Sequence, residues 1–299
     1  MEFICSDCPR RCAKVRSEEK GDGFCASGAL SRIARAAAHF GEEPCLSGEK
    51  GAGAIFFTGC NLRCVYCQNR EISRGAKAGR SVSVEELREM MLRLRDAGVH
   101  CIDLVTPTHY LRAVRAALEG LSLGIPVVWN SSGYESVEAL RTLEGLVQIY
   151  MPDYKYSDAA LAKRLSAAED YPSVAAAAIR EMFRQTGAYR TDDKGLLLSG
   201  VLIRHLILPG EIENSMGAID FAADSFPAGS VLFSLMSQYT PMPGMEKLGS
   251  LGGRVDAETN AHLIRYMHRC GIENGYWQET SSATAEEIPA FDGTGVAEY

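Results

Sequence analysis

The chain has 299 residues, 46% of them hydrophobic and 23% charged, with a net charge of −7. That length suggests two domains or one large α/β domain, and the composition excludes disordered and collagen-like chains. A chain of this size buries enough apolar surface to fold without disulfide staples. No stretch approaches 18 apolar residues and the start, Met1-Glu-Phe-Ile-Cys5, lacks a basic-then-apolar leader. The expectation is therefore a soluble, unexported, cytoplasmic protein without a membrane partner. The last thirty residues hold six acids (Glu273, Glu279, Glu286, Glu287, Asp292, Glu298) and no Lys or Arg, so the first 269 carry 31 basic against 32 acidic side chains. A near-neutral body argues against nucleic acid as partner.

Ten cysteines in a reducing compartment point to metal ligation or catalysis before disulfides. Eight of them lie in the first 67 residues. In chain order, Cys5, Cys8, Cys12 and Cys25 come first, spaced C-x2-C-x3-C-x12-C. Four thiolates can close a site around zinc or around a fully protein-ligated iron–sulfur cluster. Its role is either a staple for residues 1–30, which have little apolar core, or a second redox centre. The nearby Arg10, Arg11, Lys14 and Arg16 could dock an acidic electron donor, or form a solvated face. Residues 1–50 read as a small Cys-rich module, and Cys45 within it as a spare ligand or substrate-facing thiol.

A strand is expected over 54–58, followed directly by Cys60-Asn-Leu-Arg-Cys64-Val-Tyr-Cys67. Three thiolates on one loop can hold three irons of a [4Fe–4S] cube and leave the fourth iron open to an exogenous chelate. A structural zinc site prefers four protein ligands, and this loop offers no His or fourth Cys.

Beyond the loop, Ser83-Val-Glu-Glu86 is a capping box that opens a helix, with Gly98 as its stop. Further apolar strands are expected over 101–105, 126–130, 147–153, 201–208 and 231–237. Pro172 starts a helix that runs to Gly187, and Asn214 and Asp256 are N-cap candidates for two more. His109 and Tyr110 follow the second strand, where a pocket role and a packing role are both open. His205 reads as a hydrogen-bonded core histidine, and Cys101 and Cys270 as small apolar fillers. Asp153 and Lys155 are two apart and share one face of a strand, which suits a zwitterionic ligand. Residues 281–299 read as an irregular acidic tail.

Six strand-then-helix units make a parallel sheet. With a cofactor loop after the first strand, the expected fold is a partial (β/α)6 TIM-like barrel over 51–280, with a doubly wound sheet as the alternative.

The three-cysteine loop resembles the signature of radical S-adenosylmethionine (radical SAM) enzymes. That resemblance implies a [4Fe–4S] cluster on Cys60, Cys64 and Cys67 whose open iron is chelated by S-adenosylmethionine. Reductive cleavage then gives a 5′-deoxyadenosyl radical that abstracts hydrogen. Tyr66 matches the aromatic residue beside the adenine. Cys64-Val-Tyr-Cys67-Gln-Asn-Arg70, Asn130-Ser-Ser-Gly133, Met151-Pro-Asp153-Tyr-Lys155 and Ile203-Arg204 are similar to segments of pyruvate formate-lyase activating enzymes. The fullest match, from Cys5 to about Val296, is to a branch sharing Glu43-Pro-Cys45, Val105-Thr-Pro-Thr-His109, Leu206-Ile-Leu-Pro-Gly210 and Leu235-Met-Ser-Gln-Tyr239. Asn130, Ser131, Asp153, Lys155 and Arg204 are thereby expected at the SAM site. Two departures stand out. Thr106-Pro-Thr108 replaces the Gly-Gly-Glu run that binds the SAM ammonium, so the Thr106 and Thr108 hydroxyls become candidate acceptors. Gln238-Tyr239 stands where activating enzymes carry a histidine.

The resemblance implies a flavodoxin- or ferredoxin-type electron donor and a substrate that is a protein, peptide or small molecule. The leading expectation is installation of a glycyl radical on a partner enzyme. The alternatives are radical modification of a peptide or small molecule, or a non-catalytic SAM- and zinc-binding scaffold.

Overall fold

The computed structural model describes residues 2–74, 78–280 and 289–296. Twelve strands are formed: β1 (Phe3–Cys5), β2 (Lys14–Arg16), β3 (Ser31–His39), β4 (Ala52–Phe57), β5 (Arg80–Val82), β6 (Ile102–Val105), β7 (Val127–Ser131), β8 (Ile149–Pro152), β9 (Arg190–Thr191), β10 (Leu197–Leu206), β11 (Leu232–Met236) and β12 (Gly275–Trp277). β1 and β2 make a separate antiparallel pair. The rest form one sheet in the order β12-β11-β10-β8-β7-β6-β4-β3-β5, with β9 paired to β10. From β4 to β12 every neighbour is parallel and the strands follow chain order. The reversal of strand order that marks a doubly wound sheet does not occur among them.

The six expected strands correspond to β4, β6, β7, β8, β10 and β11, each within a few residues. Four further sheet strands carried weaker signals. β12 is only three residues long and β9 two, while β3 runs antiparallel to β4 and β5 antiparallel to β3 at that edge. β3 thus places part of residues 1–50 inside the main sheet. The described part of the C-terminal segment docks on the same strand. Thr294 O accepts from Ala36 N, Gly293 N donates to Ala34 O, and Arg35 pairs with Asp292 at 3.3 Å. Residues 281–288 and 297–299 of the expected tail, with Glu286, Glu287 and Glu298, lie outside the described residues.

Local signals explain most helix ends. Ser83 Oγ accepts from Glu86 N at 3.1 Å while Glu86 Oε2 accepts from Ser83 N at 2.7 Å, and this box opens Val84–Asp96. Tyr171–Thr186 has Pro172 in its first turn and ends at Gly187. Asp256 caps Ala257–Arg269 by accepting from Thr259 N. The cap expected at Asn214 is a correction. The helix is Ile212–Ser225 with Glu211 at its N-cap. Asn214 lies inside, where its side chain accepts from Ser157 N (2.9 Å) and donates to Lys155 O (3.0 Å). A long-range bond to the loop after β8 has outcompeted the local one. Among the described residues no helix is long and apolar enough to cross a membrane.

The period of two along each strand separates two cores. The face bearing Ile55, Leu104, Trp129, Tyr150, Ile203 and Phe233 packs into the large cluster beneath the helices. The opposite face has a second cluster at the N-terminal ends of the strands, where Ala52, Cys101, Ile149, Leu197 and Leu232 pack on Cys45 and Leu46. The segment 40–48 is therefore a plug under that face, with Glu43, Cys45, Leu46 and Ser47 buried.

Candidate functional site

Above the plug, the inner face opens into a cavity of about 230 Å³. Its lining includes Cys64, Tyr66 and Cys67 from the loop after β4, Asn130 from β7, Asp153 and Lys155 after β8, and Arg204 from β10. Four chain segments thus bring together residues that the sequence spreads over 140 positions.

Arg204 is the hub. Its Nε donates to Asp153 Oδ1 at 3.1 Å, Nη1 to Glu42 Oε2 at 2.9 Å and Nη2 to Asn130 Oδ1 at 2.7 Å. Lys155 Nζ meets the other Asp153 oxygen at 2.5 Å. Burial would raise the Asp153 pKa, but Lys155 and Arg204 outweigh it and hold the carboxyl below its usual value. Two more acids lie behind this layer. Asp103 is fully buried and accepts from Asn130 Nδ2 at 3.2 Å. Burial and the neighbouring Glu42 push its pKa far up. Glu43 is likewise raised by burial, with Arg204 opposing and Glu42 adding to the rise. The Lys155 ammonium and the Arg204 guanidinium thus face the carboxyl groups of Asp153 and Glu42, a pairing of opposite groups suited to a zwitterion. Glu42, Glu43 and Asp103 were not singled out from the sequence. Glu42 and Glu43 adjoin the Pro-Cys45 motif, so a pair of acids beside a buried cysteine was the available signal.

Three candidates do not line the cavity. Asn130 points into the cavity, so Ser131 next to it points to the helix side, where its Oγ accepts from Gly133 N. Thr108 Oγ1 donates to the buried Glu135 at 2.6 Å and is spent there. Thr106 ends β6 with φ +62, an unusual conformation for a β-branched residue, and is not among the cavity-lining residues. Gly133 needs its φ of +73, because a Cβ there would lie 2.3 Å from Asp153 O. That close approach ties the turn after β7 to the Asp153 turn.

His109, open between a pocket and a packing role, is packed, and His205 is a hydrogen-bonded core histidine as expected. His109 is buried, its Nε2 paired to Thr58 O at 2.7 Å, and burial lowers its pKa to about 3. His205 is held between Tyr154 O and Ser215 Oγ at 2.7 and 3.0 Å, with its pKa lowered to about 4, again by burial. Cys45 sits in the plug, where burial pushes its thiol up to about 11. Cys101 is buried among the same residues.

The cysteine loop suits a cluster better than a single ion. Among the described residues no three His, Cys, Asp or Glu side chains are grouped so as to hold one metal ion, whereas a cube takes each thiolate at a different corner. The sulfurs are already met by donors. Leu62 N reaches Cys60 Sγ at 3.3 Å, and Ser166 Oγ donates to Cys64 Sγ at 3.0 Å. Behind Ser166 a hydroxyl chain continues to Tyr156 (2.6 Å) and Tyr66 (2.8 Å). A thiolate only accepts, so Ser166 must give it a proton, Tyr156 must donate to Ser166, and Tyr66 to Tyr156. The aromatic residue at the cavity wall is thus coupled to the Cys64 sulfur.

Residues 54–191 match the family model of the radical SAM superfamily. The family supported is radical SAM. An uncharacterized protein of Methanocaldococcus jannaschii is 29% identical over 247 residues, spanning 79% of this chain and 66% of its own length. Among solved structures, Streptococcus suis SuiB bound to the precursor peptide SuiA shares the fold with a TM-score of 0.52 at 14% identity, over 74% of this chain and 47% of SuiB. SuiB bound to S-adenosylmethionine gives 0.50 at 14% identity, over 77% and 48%. This chain spans about half the length of SuiB and less than two thirds of the length of the archaeal relative. The matched span contains the three cysteines, Asn130, Asp153 and Lys155, while Arg204 lies beyond it. The radical SAM superfamily implies a [4Fe–4S] cluster and S-adenosylmethionine.

Hydrogen bonds to cluster sulfurs favour the reduced state. Ser166→Ala is therefore expected to lower the midpoint potential of the cluster in anaerobically reconstituted protein, followed by EPR during a redox titration. An unchanged potential would show that the Ser166–Cys64 bond has no such effect.

Proposed function

We propose that the chain is a radical SAM enzyme built on a partial (β/α)6 barrel, with the cluster on Cys60, Cys64 and Cys67 and SAM in the cavity above the plug. The observation that carries this reading is the meeting of the Cys64–Cys67 loop with Asn130, Asp153, Lys155 and Arg204 around one cavity. Held on Cys60, Cys64 and Cys67, a reduced cluster would supply the electron for reductive cleavage of SAM. The protein's part is binding and orientation. Lys155 would face the carboxylate of the methionine moiety, and Glu42 and Asp153 its ammonium. Glu42 would thereby replace the acidic run missing after β6. Arg204 fixes both carboxylates, and Tyr66 walls the adenine side. A flavodoxin- or ferredoxin-type protein would serve as donor. Two of the basic residues considered for docking it are turned inward, since Arg10 and Arg16 bond to backbone oxygens of the protein. Arg11 and Lys14 stay exposed.

The finer reading is hydrogen abstraction from a glycine of a partner enzyme, which rests on the activating-enzyme-like segments around Cys67, Asp153 and Arg204. The test is anaerobic reconstitution with dithionite and SAM. Release of 5′-deoxyadenosine is expected from the wild-type chain and its loss from Cys64→Ala. No release from the wild type would overturn the enzyme reading, whereas release without a partner-borne EPR doublet would overturn only the glycyl-radical version.

A further inference from the structure

The segment 2–30 is folded around its sulfurs. Its buried side chains are Cys5, Cys8, Arg16 and Ser27, while Ile4 and Val15 are 64% and 52% exposed. Its regular structure is the three-residue pair β1–β2, and an isolated two-stranded ribbon is marginal in water. Yet its backbone is tightly constrained. Arg11 and Ala13 on either side of Cys12, and Ala26 after Cys25, have φ of 42, 48 and 54. Such left-handed conformations are disfavoured for residues other than glycine and persist only where the surroundings impose them. An apolar core of two thiols does not account for that constraint.

Cys5, Cys8, Cys12 and Cys25 instead line one enclosed cavity, with Asn61 and Phe24 completing its wall. All four are free thiols. Two sulfurs already accept hydrogen bonds, Cys25 from Arg16 Nη2 at 3.0 Å and Cys12 from Phe24 N at 3.4 Å. The nature of the occupant follows from spacing. Zinc holds its thiolates at about 2.3 Å from one point, which brings the sulfurs to roughly 3.8 Å of each other. Among the described residues no three ligand side chains are grouped so as to hold a single metal ion. A cube spreads its four sulfurs over four iron corners.

The geometry points to a second [4Fe–4S] cluster, ligated at every corner by Cys5, Cys8, Cys12 and Cys25. Having no open iron, it would not chelate SAM. It lies against the Cys60–Cys67 loop. Arg10 Nε donates to Asn61 O at 2.8 Å, Arg63 Nη2 to Phe24 O at 3.1 Å, and both guanidinium groups cover the Phe24 ring at 3.9 and 4.3 Å. Arg112 clamps Asp7 through two donors at 2.9 and 3.0 Å. This assignment stands independently of whether the chain cleaves SAM.

The test uses the full chain, reconstituted anaerobically with iron and sulfide in the presence of equimolar zinc. About eight iron per chain are expected for the wild type. About four should remain in the combined Cys60→Ala, Cys64→Ala, Cys67→Ala variant, and about four in Cys8→Ser, Cys12→Ser, which should also become sensitive to trypsin at Arg11 and Lys14. Wild-type protein with four iron and one zinc, or with four iron alone, overturns the second cluster. So does a Cys8→Ser, Cys12→Ser variant that keeps all its iron. Loss of 5′-deoxyadenosine release without loss of iron would count against the SAM reading and leave the cluster in place.

Discussion

Arg204→Ala will destabilise the fold by about 3–5 kcal/mol and abolish SAM binding. The guanidinium joins Asp153, Glu42 and Asn130 in one layer, and its side chain is only 15% exposed. Removing it strands two carboxylates away from water, and an uncompensated buried charge costs about that much. Asp153 keeps Lys155 as a partner, so the larger penalty falls on Glu42. Urea unfolding should show a lower midpoint, and SAM binding followed by equilibrium dialysis should fall below detection. Arg204→Lys retains the charge and loses the fork that reaches three acceptors, so it should recover less than half of the stability. A full recovery with lysine would mean that charge alone matters, and the hub geometry would be wrong.

Glu135→Gln will raise stability at pH 8 and flatten its dependence on pH between about 5 and 7. Glu135 is buried, with Oε1 accepting from Thr108 Oγ1 at 2.6 Å and Trp129 Nε1 at 3.1 Å. Burial pushes its pKa up to about 7, against the pull of Thr108 and Trp129. Between the unfolded value near 4.3 and 7 the native state therefore holds one more proton than the unfolded chain. The stability this group contributes is fully present below the lower value and is lost as pH rises through the upper one, amounting to roughly 3 kcal/mol. Glutamine keeps the acceptor for Thr108 and Trp129 without a charge to bury. Denaturant melts of both proteins at pH 5 and pH 8 measure the difference. Equal slopes with pH would refute the assignment.

The parts legible in the sequence were those with strong local signals. Apolar runs announced β4, β6, β7, β8, β10 and β11 because each is covered on both faces. The Ser83–Glu86 box fixed a helix start to the residue. β3 escaped because Ser31-Arg-Ile-Ala-Arg-Ala-Ala-Ala-His39 is alanine-rich and carries two arginines, a composition that favours helix. Pairing with β4 on one side and with β5 on the other overrides that preference. At the site, Asn130, Asp153, Lys155 and Arg204 were expected from their segments' resemblance to activating enzymes, and the fold brings them to one cavity. Ser131 came with the Asn130 segment and Thr108 with the run that replaces Gly-Gly-Glu, whereas side-chain direction decides which of two neighbours faces a cavity. Glu42 carried only a weak signal, its place beside Glu43-Pro-Cys45. It reaches the cavity because the chain returns beneath the strands between β3 and β4, a property of topology and not of any local pattern.

That return segment also bears on the order of events. By corking the N-terminal ends of the strands with Cys45 and Leu46, it leaves the C-terminal side as the route to the cavity. A ligand held against Glu42 and Arg204 would sit at the bottom of that cavity, nearest the plug. Anything entering later from the C-terminal side would then lie over it, so the depth of these acidic and basic anchors would set the order of occupancy.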